Sequence, residues 1–105
     1  MSSERPDQRI LLDLNNPIFQ RTLFDLNKND QRNILNTFRK ISNMTWSQMY
    51  SDRGIKWEVI LSQKGPAGCR LYSFRISKGF RGLGYRDRSW LRILSLHPDH
   101  DSAYK

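Results

Sequence analysis

The sequence predicts an α+β fold: an N-terminal strand and a helical hairpin packed on one face of a mainly antiparallel sheet of four or five strands. Apolar residues recur at helical spacing through residues 17–43, whereas residues 71–96 alternate polar and apolar side chains between short turns. Strands joined by such short turns form antiparallel meanders, and the helices that precede them can cover one face of the sheet. A length of 105 residues suits a single domain, residues 1–105.

The first half of the chain carries the helical patterns. The short apolar segment 9–14 (RILLDL) is predicted to be a strand. Asn16 and Pro17 mark a helix start, because asparagine caps a first turn well and proline there lacks only an N–H that would have no partner. Asp30 is expected to cap a second helix, and a short third helical turn follows. The apolar residues of these helices are Phe19, Leu23 and Leu26, then Ile34, Leu35, Phe38 and Ile41, then Trp46, Met49 and Tyr50.

The second half of the chain carries the strand patterns. Loop composition at residues 64–68 (KGPAG) separates the first strand from the others. Lys78-Gly79 and residues 87–89 can form tight turns within the meander. The predicted strands are residues 56–61, 71–77, 80–86 and 90–96.

Alternation within the segment 71–77 assigns its side chains to two faces. Tyr72, Phe74 and Ile76 fall on one face, and Ser73 and Arg75 on the other. The first face is expected to pack against the helices and the second to carry basic side chains. The tryptophans and Phe74 are expected to belong to the core.

Positive charge is concentrated in one stretch of the chain. The net charge is +8, and residues 62–97 contain eight Lys or Arg residues but one acid, Asp87. Such a concentration is typical of proteins that bind a phosphate-rich partner. A solvated basic face, or a surface for an acidic protein, would show the same composition.

Cysteine content and hydropathy narrow the class of protein. The single cysteine, Cys69, excludes an internal disulfide and cannot by itself hold a structural zinc ion. Neither a signal peptide nor a membrane helix is predicted, because aliphatic runs do not exceed three residues. These features favour the cytoplasm, and no cofactor is predicted.

Two groups of residues are candidates for chemistry. Arg75, Lys78 and Arg81 would converge if the hairpin around Lys78-Gly79 forms, and converging cations favour an anion between them. Alternatively, they are separate surface charges. The tail beginning His97-Pro-Asp-His100 could provide acid–base chemistry. A metal site and a simple capped terminus are the alternatives for this tail. Gly79, Gly82 and Gly84 lie in a strand context that does not match a nucleotide-binding loop.

Residues 72–87 (YSFRISKGFRGLGYRD) resemble the central strands of toxins of the RelE/ParE superfamily. The shared features are an aromatic-led strand with basic residues, a short turn, and then an aromatic-Arg-x-x-x-Tyr pattern. The strand that follows and the terminal Asp-Ser-Ala-Tyr are similar to the family's last strand and its C-terminal tyrosine. The order of strand, helical hairpin and meander also agrees.

This resemblance implies the toxin of a type II toxin–antitoxin system, a ribosome-associated and metal-independent endoribonuclease that cleaves mRNA. It implies an antitoxin partner that covers the basic face in a hetero-oligomer, together with the ribosome and mRNA, and no membrane. Where the RelE-type branch has a lysine pair, this chain has Phe74 and Arg75, and Glu58 is the candidate for the catalytic glutamate of the YoeB-type branch. The residues that the resemblance assigns to catalysis are Arg81, His97, His100 and Tyr104, and those that it assigns to RNA or phosphate are Arg75 and Lys78. Arg86, in the same basic stretch, is a further candidate for binding RNA or phosphate.

The sequence leaves two other functions open. One is a ParE-type inhibitor that binds DNA gyrase without chemistry of its own. The other is a passive nucleic-acid-binding module. The two histidines of the tail favour the enzyme, because neither alternative requires a titratable pair.

Overall fold

The computed structural model describes residues 8–98, and it confirms the predicted α+β class. The five-stranded sheet has the order β1-β5-β4-β3-β2. Strands β2 to β5 form an antiparallel meander, and β1 pairs in parallel with β5. The elements are β1 (Leu11–Asp13), α1 (Pro17–Asp25), α2 (Lys28–Ser42), α3 (Trp46–Ser51), β2 (Glu58–Lys64), β3 (Arg70–Ser77), β4 (Phe80–Asp87) and β5 (Trp90–His97), with a short 3₁₀ turn, Pro66–Gly68.

Side-chain caps fix where the first two helices begin. The Asn16 side chain accepts hydrogen bonds from the backbone N–H groups of Ile18 and Phe19, as the Asn-Pro pair predicts. The predicted cap of α2 is wrong: Asn27 caps this helix and accepts a hydrogen bond from the N–H of Asp30. Asp30 instead lies in the first turn, where a carboxylate interacts favourably with the helix dipole.

The main core lies between the helices and one face of the sheet. Phe19, Ile34, Phe38 and Ile41 are buried there, as predicted. Leu35 was expected to join them, but 61% of its surface is exposed. The buried residues of α2 follow the i, i+3, i+4, i+7 spacing of one helix face, starting at Ile34. Thr37 lies on this face and is buried, whereas Leu35 lies outside it.

In the third helix and the last strand, one apolar residue each is more exposed than the sequence predicted. Trp46 and Met49 are fully buried, whereas Tyr50 of the same helix is exposed. Trp90 was expected in the core, but it begins β5 on the face away from the helices and is 38% exposed. The Arg92 guanidinium packs over its ring, 5.5 Å from the centroid.

Strand β2 begins two residues later than predicted. Lys56 adopts a left-handed backbone conformation with φ of 51°, which is incompatible with an extended strand. The Trp57 ring lies flat against Tyr72, with centroids 4.4 Å apart, and packs edge-on against Trp46. The tryptophan therefore extends the main core rather than the sheet, and pairing with β3 begins at Glu58.

The sheet face opposite the helices is not uniformly basic. Ile60, Leu71 and Leu83 form a small second core on that face, each no more than 5% exposed, with Leu94 packed against them. We call this side of the sheet the open face, because none of the helices α1 to α3 packs on it. Within residues 8–98 no helix is both long and apolar enough to cross a membrane.

Candidate active site

A β-bulge in β3 sets the position of Arg81. The turn Lys78-Gly79 places Ser77 opposite Phe80, and regular pairing from there would place Ile76 opposite Arg81. The register shifts by one residue between Arg75 and Ser77, so Ile76 is the extra residue. Arg75 is therefore directly opposite Arg81.

A second bulge, in β5, has the corresponding effect on the other side of β4. Gly84 pairs with Ile93, and regular pairing from there would place Leu96 opposite Arg81. The register again shifts by one residue, with Leu94 as the extra residue. His97 is consequently the partner of Arg81. Because a shift of one residue exchanges the two faces of a strand, this bulge brings the imidazole to the face on which Arg81 lies.

The two bulges together create a row of three side chains across three strands, Arg75–Arg81–His97. Directly opposed residues of antiparallel strands have their Cβ atoms about 4.5–5.5 Å apart and point to the same side. The row lies on the open face, because Leu83, two residues after Arg81 in the same strand, belongs to the core on that face.

Within residues 8–98, no carboxylate forms an ion pair with the row. The ion pairs there join Lys40 to Asp52, and Arg92 to both Asp13 and Asp87. Nη1 of Arg81 donates to the carbonyl oxygens of Ser77 and Phe80, at 3.3 and 3.4 Å, which holds the guanidinium near the turn. Adjacent cations repel one another unless an anion binds between them, so the row is suited to a phosphate.

His97 is held so that it can exchange a proton. Its Nε2 lies 2.8 Å from Oγ of Ser95, which precedes it by two residues on the same face of β5. Burial lowers the pKa of the His97 imidazole below its ordinary value of 6.5, because desolvation disfavours the charged form. The ring is therefore neutral at neutral pH, and in the tautomer in which Nε2 donates to Oγ of Ser95, Nδ1 can accept a proton. Sequence reasoning missed Ser95, although its i, i+2 spacing to His97 was visible.

The other predicted phosphate-binding residues lie at different distances from the row. Lys78 is exposed in the β3–β4 turn, three residues before Arg81 in the chain. Arg86 lies towards the far end of β4 and does not join the row. Its guanidinium packs 4.5 Å from the centroid of the Trp46 ring on the helical side of the sheet, and it donates to the hydroxyl of Tyr50 at 2.6 Å.

Glu58 shares the open face with the row. It pairs with Ser73 at the beginning of β2, and Ser73 precedes Arg75 by two residues on one face of β3. The carboxylate is thus diagonal to Arg75, with roughly 7–8 Å between their positions. The candidate for the catalytic glutamate, Glu58, is therefore close to the row.

Two predicted catalytic residues, His100 and Tyr104, lie outside the described residues. Among residues 8–98 no cluster of three or more His, Cys, Asp or Glu side chains could hold a metal ion. The candidate site within this range therefore consists of the row, Lys78, Ser95 and Glu58.

Comparison with known proteins gives a structural match. No family model matches the sequence. No curated protein matches it either. A chain of the crystal structure of the archaeal RelE–RelB complex from Pyrococcus horikoshii OT3 is similar in structure, with a TM-score of 0.56 and 19% sequence identity over 88% of this chain and 94% of that one. The arrangement of three helices and a five-stranded mixed sheet is accordingly a RelE-like fold.

Proposed function

We propose that this protein is the toxin of a type II toxin–antitoxin system and that it cleaves mRNA on the ribosome without a metal ion. The observation that supports this most directly is the Arg75–Arg81–His97 row, in which two bulges bring two cations and a neutral imidazole together on one face. A phosphate bound at Arg81 would have a second cation on one side and a proton acceptor on the other.

The proposed reaction uses the 2′-hydroxyl of the RNA as the nucleophile. His97 removes the proton from this hydroxyl, and the 2′ oxygen forms a bond to the adjacent phosphorus. Arg81 and Arg75 stabilise the additional negative charge of the transition state. The bond from phosphorus to the 5′ oxygen breaks, and an acid, for which His100 and Tyr104 are the candidates, protonates that oxygen. The products are a 2′,3′-cyclic phosphate and a 5′-hydroxyl end.

The proposed partners follow from the basic surface and the fold. The structurally similar chain belongs to a RelE–RelB complex. We propose that an antitoxin likewise binds this chain in a hetero-oligomer in the cytoplasm and covers the row. The ribosome would position the mRNA, so that a small set of catalytic groups suffices.

The test is induced expression followed by primer extension on cellular mRNA. Codon-phased cuts are expected for the wild-type protein. Arg81→Lys should lower the cleavage rate about 10²–10³-fold, because lysine cannot reproduce the two-pronged contact of a guanidinium with a phosphate. Arg70→Lys is the matched control, since Arg70 is exposed at the opposite end of β3, and it should cleave normally.

Two results would contradict the proposal. Wild-type cleavage by Arg81→Lys would mean that the row is not the nuclease site. Intact mRNA together with broken DNA would instead indicate a gyrase inhibitor of the ParE type.

A further inference from the structure

An apolar groove between α1 and α2 remains open to solvent. It has a volume of about 200 Å³ and is lined by Leu23 and Phe24 of α1 and by Gln31 and Leu35 of α2. Phe24 is 73% exposed and Leu35 is 61% exposed, and neither belongs to the main core. Single exposed apolar residues are normal on a protein surface, but two large ones that share a groove indicate an interaction surface.

The groove is held in shape by its own inner residues. The side-chain amide of Gln31 donates to the backbone carbonyl of Leu23 at 2.8 Å, and this hydrogen bond joins the two helices. Leu23 also packs against the main core. A partner would therefore meet a formed groove, and little ordering of this chain would be required on binding.

Arginine side chains lie one helical turn from each of the two exposed apolar residues. Arg21 precedes Phe24 by three residues on α1. Arg32 precedes Leu35 by three residues on α2, and Arg39 follows Leu35 by four. All three arginines are exposed, and none forms an ion pair with a carboxylate of residues 8–98.

The two helices contain few carboxylates that could neutralise these arginines. Asp25 is exposed at the end of α1, and Asp30 accepts a hydrogen bond from the side-chain amide of Asn27 at 3.3 Å. Lys28, exposed at the start of α2 and three residues before Gln31, adds a further positive charge. The rim of the groove is therefore basic and complements a negatively charged partner.

The combination of an apolar centre and a basic rim discriminates between kinds of partner. A second copy of this chain would bring two sets of arginines together, which repel each other. The phosphates of RNA would match the arginines but would not bury Phe24 and Leu35. An anionic lipid surface is flat, whereas a concave groove between two helices accommodates the ridge of side chains on a third helix.

We propose that this groove docks an amphipathic helix of a partner protein. The apolar stripe of that helix packs between Phe24 and Leu35, and acidic side chains on both sides of the stripe face the arginines. Recognition of a helix in a groove uses apolar anchors at this spacing. The groove belongs to the helical side of the sheet and the row to the open face, so a docked helix leaves the row accessible. This docking does not depend on the proposed nuclease activity.

The test measures the affinity of the full-length protein for a fluorescein-labelled synthetic helix by fluorescence anisotropy. The peptide has about 20 residues, with leucines in one stripe and glutamates on both sides of it. A second peptide has lysines in place of the glutamates, and a third has the first composition in an order without a stripe. The protein is expected to bind the first peptide at least about tenfold more tightly than either of the others.

Alanine variants test the apolar centre of the groove. Phe24→Ala and Leu35→Ala should each weaken binding by about tenfold or more, because each removes an apolar surface that becomes buried in the complex. Leu61→Ala is the matched control, since Leu61 is 87% exposed on β2 and lies outside the groove, and this variant should bind normally. All three side chains are exposed, so circular dichroism should show an unchanged fold.

Charge reversal tests the basic rim. Arg32→Glu should weaken binding of the glutamate peptide and strengthen binding of the lysine peptide, because it exchanges attraction and repulsion. Arg70→Glu changes the net charge equally, but Arg70 is exposed on β3 and outside the groove. It should therefore keep the wild-type preference.

Three results would overturn the inference. The first is equal affinity for the three peptides, or a preference that survives Phe24→Ala and Leu35→Ala. The second is an equal effect of Arg32→Glu and Arg70→Glu, which would reduce the preference to attraction by the net charge. The third is binding to phosphatidylserine vesicles that Phe24→Ala abolishes, without binding of any peptide, which would assign the groove to a lipid surface.

Discussion

The ring of Phe74 lies directly over Gly82 on the neighbouring strand. A Cβ atom at position 82 would stand 2.3 Å from Cζ of that ring, so no side chain fits there without a shift. Phe74 is fully buried and also packs against Phe38, with ring centroids 6.4 Å apart. Gly82 adjoins Arg81, so this contact between core and strand supports the backbone beneath the row.

Gly82→Ala should therefore destabilise the protein by about 1–3 kcal/mol, the usual cost of overpacking a core. Urea unfolding followed by circular dichroism measures this change. Phe74→Leu should partly relieve the clash in the double variant, so that the two substitutions cost less together than the sum of their separate effects. Additive costs would mean that the ring does not determine the requirement for glycine.

The lowered pKa of His97 predicts how stability depends on pH. Because burial depresses the pKa below 6.5 in the folded chain, the unfolded chain binds a proton that the folded chain does not. The contribution of His97 to stability is thus complete above about pH 6.5 and is lost as the pH falls towards the lowered value. Unfolding free energies at about pH 7.5 and about pH 5.5 should differ less in His97→Gln than in the wild type. An equal difference in both proteins would show that other groups titrate.

Replacing His97 should affect the cleavage rate and its pH profile together. A general base contributes roughly 10²–10⁴ to a rate, so His97→Ala should lower single-turnover cleavage by about that factor. The acidic limb of the pH–rate profile should disappear in the same variant.

The same comparison with His100→Ala tests whether that histidine supplies the acid, because its loss should remove the alkaline limb. Tyr104→Phe keeps the ring and removes only the hydroxyl. A normal profile in both histidine variants would exclude imidazole as the acid or base.

The proposed chemistry predicts that cleavage does not depend on a divalent metal. The 2′-hydroxyl is the nucleophile and arginines stabilise the transition state, so no step requires a metal-bound water. Cleavage should continue in EDTA on pre-formed ribosome complexes held together with cobalt hexammine. Loss of cleavage, with recovery when a divalent ion binds this protein itself, would contradict this expectation.

Local sequence signals predicted the elements of this fold better than their contacts. Alternation and two-residue turns predicted the meander, which the structure confirms as three consecutive antiparallel strands. The α2 cap was misplaced because Asn27 and Asp30 are chemically equivalent as caps, and only the helix geometry decides between them. Parallel pairing of β1 with β5 was not predicted, because no local pattern encodes a contact between distant segments.

The candidate site depended on features that periodicity does not encode. Regular pairing would have placed Arg75 opposite Gly82 and Phe80 opposite His97. The bulges at Ile76 and Leu94 change both pairings, and apolar residues of this kind look like ordinary strand residues in a sequence. The convergence of Arg75 and Arg81 was anticipated as a possibility of the hairpin. The position of His97 on the other side of Arg81 could not be predicted in this way, because it depends on the register between β4 and β5.

The parallel pairing of β1 with β5 also determines when the sheet can be completed during protein synthesis. Nη1 of Arg92 in β5 donates a hydrogen bond to Oδ2 of Asp13 in β1, at 2.6 Å, and the two residues are 79 positions apart in the sequence. Contacts this distant form late, because a long loop must close first. Before β5 is made, a growing chain contains the residues of α1 to α3 together with Arg75 and Arg81, but it has neither the last strand nor His97. Translation that stops before β5 therefore leaves a fragment without the proposed base, so the toxic activity proposed here would arise only after β5 has left the ribosome.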